Sequence, residues 1–282
     1  MFGSVLLMTA LMVTPAQAGG LSLTNVRPTF GQLGGTRPDS KFLPGDILCY
    51  SFDIEGIVVN DEGQVQYEMG MEIHDANNKL VFESKPSARV NLALLGGGRL
   101  PAIAYTTIED DQAAGTYTLK LTVKDLLAKP NATQTFTKKF EVAKKQFGIV
   151  GVSMSVDERG SIPAPTTGVV GQFYFVQFGV VSFDRAVPKP DPKDPKAKPG
   201  PAQPNLTFEM TILDAAGKPT FTKPISYKLA AEVKETENLV VMRFPIPFTK
   251  AGKYTVRLKA VDTLANKQTT FDLPIAAVES SN

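Results

Sequence analysis

The fold is decided by a stretch of sequence that occurs twice, first as AGTYTLKLTVKDLLA (residues 114–128) and again as AGKYTVRLKAVDTLA (residues 251–265). Eight of the 15 aligned positions are identical. In the first copy, apolar residues alternate with threonine and lysine from Tyr117 to Val123. Alternation with a period of two places one set of side chains on each face of an extended chain. Each copy therefore predicts a β-strand with one buried face.

Two further stretches repeat upstream of this strand in the same order. Residues 71–82 match residues 210–221 at six of 12 positions, and residues 44–52 match residues 170–178 more weakly. Chance supplies one such match, but three matches in one order indicate a tandem duplication.

Each copy has the sequence features of an all-β unit. Short runs with the pattern of strands are separated by Gly, Pro, Asn and Asp, which favour turns, and there is no amphipathic helix of useful length. Copies of about 120–130 residues have the size of a β-sandwich and bury enough apolar surface to fold alone. We therefore predict one domain over residues 19–143, a join at residues 144–146 and a second domain over residues 147–279.

The motifs of the two copies also resemble a known group of modules. A Pro-Gly-Asp turn (residues 44–46) enters an apolar strand, an Asp-x-x-x-Lys hairpin (residues 75–79) follows, and the Ala-Gly-x-Tyr-Thr strand comes last. Together they resemble the immunoglobulin-like, fibronectin III-like or macroglobulin-like modules of secreted bacterial proteins. The resemblance implies two tandem immunoglobulin-like β-sandwich domains, with Tyr117 and Tyr254 at the tyrosine corner, where a tyrosine holds the preceding loop. The paired Cys and core Trp of antibody domains are absent.

The N-terminal residues have the pattern of a secretory signal peptide. An apolar run from Val5 to Val13 is followed by Ala16-Gln17-Ala18, which predicts cleavage after Ala18 and an exported protein, periplasmic or extracellular. The first four residues carry no Lys or Arg, so a buried N-terminal strand or helix is the alternative. No later run reaches about 18 apolar residues, so we expect no membrane insertion of the mature chain.

Composition excludes several classes of function. The 282 residues carry 30 Lys and Arg against 28 Asp and Glu, a net charge of +2 that gives no field for nucleic acid. A single His (His74) and a single Cys (Cys49) exclude a disulfide framework and a multi-His or multi-Cys metal site. We therefore expect no catalytic, cofactor-binding or metal-binding residues. The one alternative left open is weak Ca²⁺ binding by acidic loops at residues 61–62, 109–111 and 157–158.

The strand that contains Phe173 and Phe175 is apolar on both faces. Its other face carries Tyr174, Val176 and Phe178. Such a strand is either covered on both sides or part of an interface. We therefore propose Phe173 and Phe175 as interface residues that pack against the first domain or a partner. Burial by loops of their own domain is the alternative.

Residues 186–205 form a Pro- and Lys-rich insertion within the second copy. Seven of the 21 prolines of the chain lie in these 20 residues. Such a composition predicts an extended, solvated loop. This loop is interpreted as a tether or a contact for an anionic cell-wall polymer, or as a tolerated surface insertion.

Taken together, the sequence predicts an exported, non-enzymatic protein of two β-sandwich domains. Its expected role is binding, adhesion or scaffolding at the cell envelope or outside, with another envelope or extracellular protein as the partner. The alternative is a carbohydrate- or small-ligand-binding module, which the absence of Trp disfavours because sugars stack on exposed aromatic rings. A hydrolase that uses carboxylates alone is a third hypothesis. The oligomeric state is left open.

Overall fold

A computed structural model of the protein describes residues 20–187, 200–230 and 232–280. Over these residues the chain is all β, which confirms the predicted fold class at this level. None of them belongs to a helix that is long and apolar enough to cross a membrane.

Eight strands form the N-terminal half, which we define as residues 20–142. They are β1 (Ser22–Pro28), β2 (Lys41–Phe42), β3 (Ile47–Glu55), β4 (Gln64–His74), β5 (Leu80–Leu92), β6 (Arg99–Thr107), β7 (Gly115–Asp125) and β8 (Ala132–Val142).

The C-terminal half, which we define as residues 148–280, has nine strands among its described residues. They are β9 (Gly148–Ser155), β10 (Pro163–Ala164), β11 (Thr167–Val169), β12 (Phe173–Val181), β13 (Leu206–Leu213), β14 (Ile225–Lys228), β15 (Leu239–Pro247), β16 (Gly252–Asp262) and β17 (Lys267–Val278).

The two halves have the same sheet topology. The N-terminal half has one sheet with strand order β1-β3-β6 and another with order β2-β8-β7-β4-β5. The C-terminal half has the sheets β10-β9-β12-β15 and β11-β17-β16-β13-β14. Strand β9 thus takes the place of β1, β12 that of β3, and β15 that of β6, while β10 is an addition. Even the parallel pairing of a short strand with the last strand occurs twice, as β2 with β8 and as β11 with β17.

A β-bulge lies at the same point of the first strand in both halves. The pairing of β1 with β3 shifts register around Asn25, and the pairing of β9 with β12 shifts around Gly151. Both residues have positive φ, 52° at Asn25 and 60° at Gly151. Their spacing of 126 residues equals the spacing of the repeat at residues 44–52 and 170–178. Because Asn and Gly tolerate this backbone region best, the bulge explains both residue types.

Alternating side chains of these strands fill two separate hydrophobic clusters. Leu119, Leu121 and Val123 of β7 are fully buried in the first cluster. Val256 and Leu258 of β16 are fully buried in the second. The side chains between them, Lys120 and Thr122 in β7 and Arg257 in β16, point away from the clusters, as a period of two requires.

A buried aspartate is the last residue of β7 in the N-terminal half and of its counterpart β16 in the C-terminal half. Asp125 accepts hydrogen bonds from the backbone N–H of Val58 at 2.8 Å and from two N–H groups of the following turn. Asp262 accepts one from the N–H of Asp184 at 2.8 Å and two from its own following turn. Both residues are 0% exposed. Each carboxylate therefore ties a distant loop to a strand end and satisfies backbone donors that would otherwise be buried without a partner.

We expect Asp125→Asn and Asp262→Asn to lower the free energy of unfolding by similar amounts, about 1–3 kcal/mol each. In each variant an NH₂ group replaces one of the accepting oxygens and faces a backbone N–H. Urea unfolding followed by circular dichroism measures the change. The exposed Asp61→Asn is the matched control, with an expected change within about 0.5 kcal/mol. A neutral result for only one of the two variants would show that the carboxylates do not act alike.

The loop between β1 and β2 crosses from one half to the other. Phe30 is 3% exposed and belongs to the hydrophobic cluster of the C-terminal half. Its ring packs edge-to-face on Phe271, with centroids 5.7 Å apart. Gly31 (φ 69°) lies so close to β9 that a Cβ at this position would stand 2.7 Å from the Cβ of Ser153. The N-terminal half thus contributes a side chain to the core of the C-terminal half.

A buried ion pair fixes the base of this loop. Arg37 Nη1 lies 3.1 Å from Asp46 Oδ2, and both side chains are less than 10% exposed. The Arg37 guanidinium also lies over the Phe42 ring, 4.3 Å from its centroid. The second carboxylate oxygen of Asp46 accepts a hydrogen bond from the N–H of Gly151 at 2.8 Å. Asp46 immediately precedes β3. The ion pair and the hydrogen bond from Gly151 therefore link the loop, the start of β3 and β9.

We expect Phe30→Ala to destabilise the C-terminal half by about 3–5 kcal/mol, because it empties a ring-sized volume in that half's core. Leu33→Ala is the control, since Leu33 lies in the same loop but is 55% exposed; its cost is expected within about 0.5 kcal/mol. Residue-resolved hydrogen exchange identifies the half that is weakened. Loss of protection confined to the N-terminal half would contradict the contribution of Phe30 to the other core.

Candidate interaction surface

Strand β12 carries an exposed aromatic face. Its buried face, formed by Tyr174, Val176, Phe178 and Val180, points into the C-terminal cluster. The period of two then turns Phe173 and Phe175 to the opposite side of the sheet. Phe173 is 50% exposed and Phe175 is half-buried, and the two rings pack edge-to-face with centroids 5.2 Å apart.

Two prolines of β15 extend this apolar area. Phe173 lies opposite Pro247 and Phe175 lies opposite Pro245 in the pairing of β12 with β15. Directly paired residues share a face of the sheet, and both prolines are exposed. We call the surface formed by Phe173, Phe175, Pro245 and Pro247 the Phe173 face.

The prolines also determine how a partner can approach. Among the described strands, β15 lies at the edge of its sheet and pairs with β12 alone. Because Pro245 and Pro247 have no N–H, the free edge lacks hydrogen-bond donors at two alternate positions. An added strand would find few partners there. The surface therefore favours contact through side chains on the face of the sheet rather than strand addition at its edge.

A polar border closes the Phe173 face on one side. Arg243 Nε donates to Gln177 Oε1 at 3.2 Å, and Gln177 Nε2 donates to Ser153 Oγ at 3.1 Å. On the β9 side, Val156 and Ile162 are exposed in the loop that follows the strand. An apolar centre with hydrogen-bonded polar groups at its margin has the composition of a protein interface.

The sequence left two alternatives for Phe173 and Phe175, contact with the first domain or a partner and burial by loops of their own domain. Within the described residues, neither ring packs against either hydrophobic cluster. The rings contact each other, and half of Phe173 is open to solvent. Contact with a partner stays a prediction.

The two predicted tyrosine-corner residues make the same hydrogen bond. The Tyr117 hydroxyl donates to the carbonyl of Ala113 at 2.7 Å. The Tyr254 hydroxyl donates to the carbonyl of Lys250 at 3.1 Å. Each hydroxyl thus holds the backbone four residues upstream, at the loop that precedes its strand. Tyr117 is also an acceptor for Gln112 Nε2 at 2.7 Å.

Cys49 and His74 lie in unrelated environments. Cys49 is 0% exposed beneath the loop that carries Phe30, with its Sγ 3.3 Å from the carbonyl oxygen of Gly31. Burial raises the pKa of the Cys49 thiol, although a hydrogen bond from Thr29 opposes the effect. The His74 ring is next to Glu72, with Nε2 and Oε2 3.6 Å apart. Cys49 is thus held as a packed thiol rather than a reactive thiolate.

Two of the three acidic loops make side-chain contacts within the protein. Asp110 pairs with Lys145 at 2.6 Å. Asp157 accepts hydrogen bonds from the backbone N–H groups of Ile162 and Ser161, and these bonds hold its pKa below the ordinary value. In the described part of the chain, no group of three or more His, Cys, Asp or Glu side chains has the geometry to hold a metal ion.

The loop between β1 and β2 lines a groove against the C-terminal half. This groove has a volume of about 580 Å³ and is lined by Phe30, Thr36, Thr166, Asp214 and Lys253, among others. The groove is open to solvent and lies between the loop and the C-terminal half.

The Pro- and Lys-rich insertion is described only at its two ends. Ala186 and Gln203 pair with each other through two backbone hydrogen bonds, and the ends of the insertion are therefore held together. Residues 188–199, which carry most of the predicted loop, lie outside the described residues, as does the predicted signal peptide at residues 1–18.

Of the comparisons with family models, curated proteins and solved structures, the last one gives matches. No protein-family model matches the chain. No curated protein matches it either. Among solved structures, a DUF4785 family protein from Legionella pneumophila is similar over 86% of this chain and 56% of its own, with 11% identity and a TM-score of 0.27. The chain thus spans little more than half of that protein, and a likeness at this TM-score shows no shared function.

We expect Phe173→Ser to change the free energy of unfolding by about 1 kcal/mol or less, because the ring is half exposed and loses only one aromatic contact. Phe178→Ser, on the buried face of the same strand, is expected to cost about 3 kcal/mol or more. Thermal unfolding monitored by circular dichroism compares the two variants. Similar costs for both would mean that the two faces of β12 are equally covered.

Proposed function

We propose that the protein is an exported, non-enzymatic binding module built from two tandem immunoglobulin-like β-sandwich domains, residues 19–143 and 147–279. It acts in binding, adhesion or scaffolding at the cell envelope or outside, with another exported protein as its partner. The observation that carries this proposal is the Phe173 face, an exposed apolar surface on an ordered sheet.

The free energy gained by burying the apolar Phe173 face favours a protein partner. Burying an aromatic side chain completely stabilises by roughly 1.5–3 kcal/mol, and Phe173 retains half of its surface for this purpose. Clustered apolar residues with a polar border mark protein contacts more often than isolated exposed residues do. Rigid aromatic rings at the centre of such a patch are the usual anchors of an interface.

The duplicated architecture supports the domain assignment. The strand order, the bulges at Asn25 and Gly151 and the aspartates that end β7 and β16 all recur between the halves. The tyrosine hydrogen bonds have the geometry expected of tyrosine corners.

A non-enzymatic role agrees with the environments of the chemically reactive side chains. Cys49 is packed and holds its proton, and His74 is paired with a carboxylate instead of a nucleophile. Export is inferred from residues 1–18, with cleavage after Ala18.

The proposal is tested by capture from the exported-protein fraction of the native host. The immobilised full chain is compared with a double variant, Phe173→Ser with Phe175→Ser. We expect the wild-type chain to retain a partner protein that the double variant loses by at least about tenfold, the effect of 1.4 kcal/mol.

A matched control keeps the result specific to the Phe173 face. Val90→Ser with Leu92→Ser removes two apolar side chains of β5 that are 60% and 56% exposed. This variant is expected to retain the partner. Equal retention by all three proteins, or no retained protein at all, would overturn the proposed binding role of the face.

A further inference from the structure

The N-terminal half contacts the C-terminal half through one end of its sandwich. If a Cβ is built at Gly151, it lies 3.6 Å from Cδ1 of Ile47, so Ile47 at the start of β3 contacts β9. A Cβ at Gly148 would stand 2.2 Å from Cδ1 of Leu43. The absence of a side chain at Gly148 thus leaves room for Leu43 beside β9.

The corresponding end of the C-terminal half is uncovered within the described residues. The offset of 126 residues that relates β3 to β12 places Phe173 where Ile47 stands and Phe175 where Cys49 stands. Cys49 is fully buried and its counterpart Phe175 is half-buried, while Ile47 is half-buried and its counterpart Phe173 is 50% exposed. The surface with which one half binds the other therefore has a free, more aromatic counterpart.

The counterpart of Phe30 follows the same pattern. The offset of 126 residues places Val156 where Phe30 stands. Phe30 is inserted into the core of the neighbouring half, but Val156 is 41% exposed. An apolar side chain is thus present at the position where the N-terminal half inserts its ring.

The chain leaves the last strand of each half at an equivalent point. Val142 pairs with Gly115 at the end of β8, and residues 143–147 then lead directly into β9. Ala277 pairs with Gly252 at the end of β17. The N–H of Ala143 donates to the carbonyl of Phe42 at 2.8 Å, and the N–H of Val170 donates to the carbonyl of Val278 at 2.8 Å. The last strand of each half therefore ends beside the segment that leads into β3 or β12.

We infer that the Phe173 face docks a further β-sandwich module, in the way that the N-terminal half docks on the C-terminal half. This inference rests on the proposed binding function and names its partner class. The occupant is a module of a different chain whose first strand carries small residues, as β9 does with Gly148, Gly151 and Ser153. Contact is mainly apolar, because Gln172 stands in place of Asp46 and its amide oxygen already accepts from Val169 and Tyr174.

A second copy of this protein does not fit the face. The β9 surface of each copy is already covered by its own N-terminal half. The free counterpart of β9 is β1, where Arg27 stands in place of Ser153 and Asn25 in place of Gly151. Since Gly31 approaches Ser153 so closely that a Cβ would stand 2.7 Å away, an arginine at this point prevents an equivalent approach.

The test is a three-module chain in which a second copy of residues 143–280 is joined after Ala277. The added module then follows the C-terminal half in the same way as the C-terminal half follows the N-terminal half. One version keeps Val156, and a second carries Val156→Phe in the middle module to supply the ring that Phe30 gives. Each version is also made with Phe173→Ser and Phe175→Ser in the middle module. Val90→Ser with Leu92→Ser is the control.

Small-angle X-ray scattering measures whether the added module is held. We expect a compact chain with the Phe173 face intact, a shift to a longer maximum dimension in the double serine variant, and no shift in the control. Equal dimensions with and without the two phenylalanines would overturn the inference. So would an added module that calorimetry shows to be unfolded in both versions.

Two outcomes separate this inference from the proposed function. If capture from the host depends on the Phe173 face but the added module is not held, the partner is of another class and only the inference fails. If the unmodified protein forms dimers that Phe173→Ser with Phe175→Ser abolishes, as measured by light scattering, a second copy is the occupant and the inference is again overturned.

Discussion

The ring of Phe30 completes a hydrophobic core that belongs to the other half of the chain, and this contact constrains the rest of the structure. It requires the loop between β1 and β2 to lie against β9, and a Cβ at Gly31 would then stand only 2.7 Å from the Cβ of Ser153. The Arg37–Asp46 pair holds the same loop from its base and reaches the N–H of Gly151. The halves are therefore joined by the packing of Phe30 and by hydrogen bonds such as the one from Gly151 to the ion-paired Asp46, in addition to the chain itself.

Sequence reasoning predicted the repeated parts of the fold because they depend on local pattern. The alternation from Tyr117 to Val123 determines which face of β7 is buried, and the same alternation recurs in β16. The crossing of Phe30 was missed, since periodicity shows that a side chain is buried but not which core receives it. The only signal was the Gly-rich composition of residues 31–35, which allows a close approach of backbones.

The interaction surface could be predicted only in part. An apolar run on both faces of β12 indicated either an interface or a covered strand, and the sequence has no means of separating the two. The structure adds Pro245 and Pro247, which are 70 or more residues away in sequence and join the face only through strand pairing. It also shows why the two ends of the molecule differ. The end around Ile47 is covered by a neighbour, and its counterpart around Phe173 presents larger apolar side chains to solvent.

The loop that carries Phe30 is expected to hold the two halves of the chain as a single rigid body. Residual dipolar couplings of backbone amides, measured by NMR in a weakly aligned sample of the full chain, test it most directly. The account predicts that couplings from residues 22–142 and from residues 148–278 fit one common alignment tensor. Two tensors of different magnitude or orientation would show independent motion of the halves and would contradict the account.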